Sequence, residues 1–243
     1  MHVTEMLYGT TLSAQGSDAV TTRIGRLALV LLCSLTLQLT GCTITATQKT
    51  VDVSPLAVSP NASGDAAVVY VRDISDNREF TVKAQTPATQ SVETVDVLTD
   101  IETGSMIGQW RTASSEVMAD LLLEDGQLVT ELVRGSIEEG LRRAGYKVVS
   151  GDSARNENAA AIDGRILRFW TYQTGSWTFT FTFEIEVELS GVVPGLEGGR
   201  RIATSEYLKS AVAGRPQSFS NTIDVGMEKF METLANEIRN KHD

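Results

Sequence analysis

Residues 177–189 alternate without a break. Trp177, Phe179, Phe181, Phe183, Ile185, Val187 and Leu189 fall on one side, and Thr178, Thr180, Thr182, Glu184, Glu186 and Glu188 on the other. A helix would scatter these aromatic rings around its surface, whereas a long strand puts them all on one dry face. Residues 160–172 read as the antiparallel partner across a turn at Gly175-Ser176. A glycine-rich loop at 191–199 then leads to a third strand over 202–212. A face this apolar needs a cover, and the chain supplies two amphipathic helices. One runs from Asp125 or Gly126 to Ala144, with Leu128, Leu132, Ile137, Leu141 and Ala144 near one face. Glu131, Arg134, Glu138, Glu139, Arg142 and Arg143 form its wet side, and Gly145 is a natural stop. The other spans 222–240, with a stripe of Ile223, Met227, Phe230, Met231, Leu234 and Ile238. Asn221 and Asp224 stand at capping-box spacing before it. The expected fold is α+β: an antiparallel or mixed sheet with a long central hairpin at about 160–189 and two amphipathic helices packed on one face.

The front of this domain is patterned more weakly. Residues 66–71 form an apolar run that predicts a buried strand, and Asp76-Asn77-Arg78 follows as a turn. Phe80, Val82 and Ala84 alternate as a weaker strand, Val95, Val97 and Ile101 could form an edge strand, and residues 106–110 read as another short strand.

A different signal precedes the domain. Arg23 and Arg26 stand before an apolar run over residues 27–39, broken only by Ser34, Thr36 and Gln38. Leu39-Thr40-Gly41-Cys42 closes it. A basic start, an apolar core and small residues before a cut make a secretory signal. At 13 residues the run is shorter than the ~20 needed to cross a bilayer. Because the cut falls before a cysteine, the four residues resemble the lipobox of bacterial lipoproteins. That resemblance implies removal of residues 1–41, acylation of Cys42, and membrane contact through the lipid on Cys42. Thr43, rather than Asp, follows the cysteine, which in that family favours the outer membrane, with the domain facing the periplasm. Residues 42–64 then read as the acylated N-terminus and a flexible tether, reaching roughly 25 Å as a coil and about 70 Å fully stretched. Residues 65–241 form a single domain.

Composition narrows the chemistry. Cys33 lies inside the signal and Cys42 is the acylation site; His2 precedes the cut and His242 is penultimate. The predicted domain therefore holds no cysteine and no histidine before its last residues, which removes Ser-His-Asp and Cys-His catalysis and almost all zinc or copper sites. Arg23 and Arg26 balance Glu5 and Asp18, so the mature part keeps the whole net charge of −10. A basic footprint for nucleic acid is absent. An anionic membrane would repel such a domain as a whole, which predicts membrane contact through lipid alone.

The order of segments has a further likeness. A lipobox, a strand followed by Asp76-Asn77-Arg78, an amphipathic helix ending in Gly145-Tyr146, a long hairpin and a C-terminal amphipathic helix together resemble the YajG-type family of bacterial lipoproteins. The likeness covers about residues 66–240 and is strongest from Leu128 onward. It implies location and fold and supplies no catalytic residue, cofactor or metal.

Several groups are candidates for chemistry. Glu184, Glu186 and Glu188 could act as an acid–base pair or bind calcium, but a flat row lacks the converging oxygens calcium needs, and a solvated strand face explains them as well. Arg165 shares a face with Asp163 and can pair with one of those glutamates across the hairpin. The 191–199 loop lacks the Lys-Ser/Thr of a phosphate cradle. Asp76 and Arg78 are candidate ligand or partner contacts, with a hydrogen-bonded turn and a sheet clamp as the alternative. Trp110, Trp170, Trp177 and Tyr172 can line an apolar pocket or belong to the core, and Trp177, next to the turn, is the one expected at the surface. These features point to a non-catalytic binding or accessory module of the bacterial envelope with an envelope protein as partner. The alternative is a small-ligand carrier or sensor, for lipid or a cell-wall fragment, with its pocket between helices and sheet. Cells fed a clickable fatty acid should label this protein, and Cys42→Ser should abolish the label; a labelled Cys42→Ser protein sinks the lipobox reading.

Overall fold

The computed structural model describes residues 47–240 apart from 55–56, 65, 93–99, 113, 115, 125, 194–195 and 211–214. Leu39, Thr40, Gly41, Cys42, Val95 and Val97 lie outside the described residues. The described strands are β1 (Thr47–Val51), β2 (Val68–Asp76), β3 (Thr81–Val82), β4 (Ser91–Val92), β5 (Met106–Arg111), β6 (Val117–Leu123), β7 (Lys147–Val148), β8 (Ala160–Thr174), β9 (Phe179–Gly191) and β10 (Arg200–Ser210). The described helices are α1 (Asp100–Ser105), α2 (Val129–Arg143), α3 (Gly151–Ala154) and α4 (Pro216–Arg239).

The long hairpin is the middle of a mixed sheet. β9 runs antiparallel to β8 on one side and to β10 on the other. The second edge of β8 is shared. β2 lies parallel to its first half, from Val69 opposite Ala160 to Asp76 opposite Ile166. β5 lies parallel further along, with Gly108 opposite Thr171 and Gln109 opposite Tyr172. The sheet therefore forks along β8. Beyond β5 come β6 and then β1, and beyond β2 comes β7.

Helices α2 and α4 cover one face, as the alternation requires. Phe181, Phe183, Ile185, Val187 and Leu189 are buried beneath them. Full burial of such a side chain is worth about 1.5–3 kcal/mol, so the alternating strand is a main source of stability. Close approach rests on two glycines. A Cβ on Gly226 of α4 would lie 2.3 Å from the Phe183 ring, and one on Gly140 of α2 would lie 2.7 Å from Leu234. Aromatic edges seal the layer: Phe169 meets Phe183 with centroids 4.9 Å apart, and Phe181 meets Phe219 at 4.8 Å.

Both helices differ in detail from expectation. The buried face of α2 is Val129, Val133, Ile137 and Leu141, which repeats every four residues, while Leu132 only flanks it. α4 begins at Pro216, more than a turn before Thr222. Proline pre-sets the backbone for a first turn, and Phe219 extends the stripe one step before Ile223. Asn221 and Asp224 are thus inside the helix and do not cap it. Ile101 belongs to α1 rather than to a strand. β6 was not legible because Met118 and Leu122 interrupt the alternation of Ala119, Leu121 and Leu123.

The largest correction concerns residues 42–64. From Thr47 onward the described part is not a tether. β1 pairs with β6 at the sheet edge, and Val51 and Val53 are buried. The next residues cross the helical layer as a strap. Ser220 Oγ donates to the Asp52 carbonyl, and Ser54 donates to Asp224 through its backbone N (3.1 Å) and its Oγ (2.7 Å). The Ser59 backbone N and Oγ both donate to Glu139 of α2. The Asn61 amide then pairs with both backbone groups of Val148, at 3.1 and 3.0 Å, and so finishes the β7 edge. No sequence period marks this path, and among its described residues side-chain hydrogen bonds rather than an apolar stripe hold it.

Glu139, placed on the wet side by the helical pattern, is 1% exposed under the strap. Burial opposes its ionisation, but the hydrogen bonds from Ser59 and Arg143 outweigh burial and hold its carboxyl below the ordinary range. A depressed folded pKa stabilises the fold above the unfolded-state pKa, and that contribution is lost as pH falls through the folded value. Glu139→Gln should therefore cost about 1–2 kcal/mol in urea unfolding at neutral pH. The deficit should shrink towards zero in acid; one that stays constant into acid contradicts a charged Glu139 under the strap.

Candidate functional site

The outer face of the hairpin carries its charge. Glu184, Glu186 and Glu188 point outward from β9, as the alternation predicts, and each has an arginine. Arg165 pairs with Glu188 directly opposite, Arg168 Nε lies 2.5 Å from Glu184 on the diagonal, and Arg201 of β10 takes Glu186. The Tyr172 hydroxyl donates to Glu184 Oε1 at 3.2 Å. Burial, then the charge of Glu184, raises the Tyr172 phenol above its ordinary pKa. Carboxylates matched in this way form a ladder rather than a converging set of oxygens. Among the described residues, no group of three or more His, Cys, Asp or Glu is placed to hold a metal.

A flap that the sequence did not foreshadow folds over part of this face. Residues 79–92, with β3 and β4 paired, lie across Trp170. Trp170 is buried there, edge-on to Phe80 at 6.1 Å, and its indole Nε1 donates to the Pro87 carbonyl at 2.9 Å. Arg168 donates to the Ala88 carbonyl as well as pairing with Glu184, so it pins the flap to the ladder. Gln109 forms a further attachment of the flap. Its Oε1 accepts from Ser91 (2.6 Å) and Arg111 (2.7 Å), and its Nε2 donates to Asp120 (2.8 Å). Between flap and hairpin runs an open groove of about 490 Å³, bordered by Glu79, Gln90, Arg168, Glu186 and Arg201.

Asp76 and Arg78 stand at the fork. Phe169 lies between Ile166, the last residue of β8 beside β2, and Thr171, the first beside β5. Its backbone there has no neighbouring strand on that side. The Phe169 N donates to Gln90 Oε1 at 3.2 Å, and its carbonyl accepts from Arg78 Nη1 at 3.3 Å. Arg78 Nη1 also reaches the Met106 carbonyl (2.6 Å), and Nη2 reaches the Thr103 carbonyl (2.6 Å) and Asp76 Oδ2 (2.7 Å). Nε donates to Asp76 Oδ1 at 2.9 Å. All five guanidinium N–H bonds find acceptors, and the side chain is 0% exposed. The clamp alternative describes this pair; Arg78 has no face left for a ligand or partner.

The aromatic candidates do not converge. Trp170 is under the flap with Tyr172 packed beside it, and Trp110 lies beneath Lys49, whose Nζ is 4.0 Å from the ring centroid. Trp177 is 93% exposed in the turn between β8 and β9, outside the strand that the alternation assigned to it.

No family model matches the chain, and no curated protein matches it. Among solved structures it is similar to a Xanthomonas campestris protein of family DUF330, at 11% identity over 80% of this chain and 95% of that one, with a TM-score of 0.38. It is similar to the PelC dodecamer protein of Paraburkholderia phytofirmans at 16% identity over 72% and 94%, with a TM-score of 0.30. It is also similar to a "putative lipoprotein" of Caulobacter crescentus at 15% identity over 46% and 77%, with a TM-score of 0.23. These likenesses are too weak to carry an argument. The YajG-type resemblance rests on the order of segments in the sequence.

Arg78 offers a direct check on the clamp. Arg78→Met leaves three carbonyls and a half-buried carboxylate without their partner, and should cost about 3–5 kcal/mol in equilibrium unfolding. A loss below about 1 kcal/mol, the scale of a surface pair, contradicts the fork account.

Proposed function

We propose that the protein is an outer-membrane lipoprotein, acylated on Cys42, whose periplasm-facing domain is a non-catalytic binding module of the envelope. The Leu39-Thr40-Gly41-Cys42 sequence supports the anchor. The edge strand β10 supports the binding role and is the observation on which that role rests. Among the described strands it pairs with β9 alone along all eleven residues, and Tyr207 on it is 64% exposed. A long edge of this kind accepts an extended segment of another protein, with backbone hydrogen bonds supplying affinity and alternate side chains supplying specificity. Lys229 already donates to the Ser205 carbonyl, which limits indiscriminate pairing. The partner is therefore an envelope protein with an exposed strand.

The carrier reading has less support. The space between helices and sheet is filled by Phe169, Phe181, Phe183 and Phe219, and the groove beside the flap is an open one on the opposite face.

A photo-crosslinking residue placed at Tyr207 in living cells should capture a discrete envelope protein. The same residue at Val58, exposed on the strap across the helices, should not. Equal capture at both positions, or none at Tyr207, removes the basis for an edge-binding role.

A further inference from the structure

The sheet register shows which end of the domain the N-terminal chain enters. Tyr172 of β8 lies opposite Gln109 of β5, Gln109 opposite Asp120 of β6, and Asp120 opposite Gln48 of β1. The β8–β5 and β6–β1 pairings are parallel and the β5–β6 pairing is antiparallel. The start of β1 and the end of β8 therefore point to the same end of the sheet. Thr47 enters there, and the 175–178 turn carrying Trp177 projects from there. Only residues 43–46 separate Thr47 from Cys42. Whatever their path, they allow a reach of at most about 17 Å.

Three observations single out this end. Trp177 is almost wholly exposed, whereas Trp170 is buried and Trp110 is packed under Lys49. Its turn is tightly built: Gly175 has φ +97°, and a Cβ there would lie 2.2 Å from the Thr178 carbonyl oxygen, so the indole is held out from the sheet. Cations also gather here. Lys49 is on β1, Lys209 on β10 lies opposite Thr180, Arg215 precedes α4, and Lys83 lies beside the loop holding Glu116. In a chain of net charge −10 these four cations lie towards one end of the sheet, where Glu116 stands beside Lys83 and Asp120 lies opposite Gln48.

We propose that this end faces the membrane, with Trp177 seated at the lipid headgroup level as a second contact beside the acyl chains on Cys42. Indole suits that depth because its body is apolar and its N–H keeps a polar partner. Basic side chains nearby are attracted to anionic headgroups although the domain as a whole is acidic. The expectation of contact through lipid alone is replaced by an oriented domain: the acyl chains hold it, and Trp177 sets which end meets the bilayer. The inference rests on the lipoprotein reading.

The test uses full-length protein purified from membranes and placed in vesicles of phosphatidylethanolamine and phosphatidylglycerol with brominated acyl chains, which quench indoles at the interface. The emission lost in Trp177→Phe reports Trp177, and most of that share should be quenched. The emission that remains in Trp177→Phe should be unaffected. Val192→Trp in the Trp177→Phe background moves the indole to the β9–β10 loop at the other end, where Val192 is 83% exposed, and should be unquenched. Vesicle-bound, acylated protein whose Trp177 is unquenched, or whose Val192→Trp variant is quenched equally, overturns the orientation. A mass without acyl chains on Cys42 instead overturns the anchor reading, and the two failures are read separately.

Discussion

The sheet depends on the guanidinium of Arg78. β8 is fifteen residues long, and its second edge is supplied by nine-residue β2 and six-residue β5. Two strands that meet end to end along a third leave backbone polar groups without partners at the junction, and a buried orphan of that kind is costly. Arg78 answers this with a planar fork of donors on the carbonyls of Met106, Phe169 and Thr103, while Asp76 fixes its position and balances its charge. Lysine, with a point charge and no planar fork, could not serve three carbonyls and a carboxylate together. Gln90 completes the junction by accepting from the Phe169 N, which also ties the flap to the fork.

Polar contacts organise the periphery as well. Among its described residues the strap buries little apolar surface beyond Val53, and it is held by Ser54, Ser59 and Asn61 through charged or paired hydrogen bonds. It links β1 and β7, two of the edge strands of the forked sheet, across α4 and α2. Only four residues, 43–46, stand between Cys42 and the first strand in the sequence, and β1 fixes the end of the sheet at which the chain enters. The outer face of the hairpin, in turn, neutralises its carboxylates one by one, so a triple-glutamate row that could have suggested chemistry is a cross-strand ladder.

The long hairpin, the two covering helices and the mixed α+β layer were legible in the sequence because hydrophobic periodicity is a local property. The thirteen alternating residues at 177–189 and the stripe from Ile223 to Ile238 each demand a dry face whatever surrounds them. The structural alternative for Asp76-Asn77-Arg78 was legible as well, because Asp two residues before Arg makes a local turn. The α4 start, the buried face of α2, strand β6 and the flap were not. In each case a tertiary contact, rather than a local pattern, decides the outcome: Phe219 against Phe181, Val129 and Val133 against the sheet, Trp170 under residues 79–92.

The sequence by itself determined the alternating strand, the helical stripes, the lipobox resemblance and the lack of cysteine and histidine in the domain, because each is a matter of composition or of spacing within one segment. Only the tertiary structure decided that residues 47–54 and 57–61 dock, that Glu139 is buried, and that Thr47 and Trp177 share one end. Those facts depend on strand order and register between segments far apart in the chain, and hydrogen bonds of that range leave no period in the sequence to read.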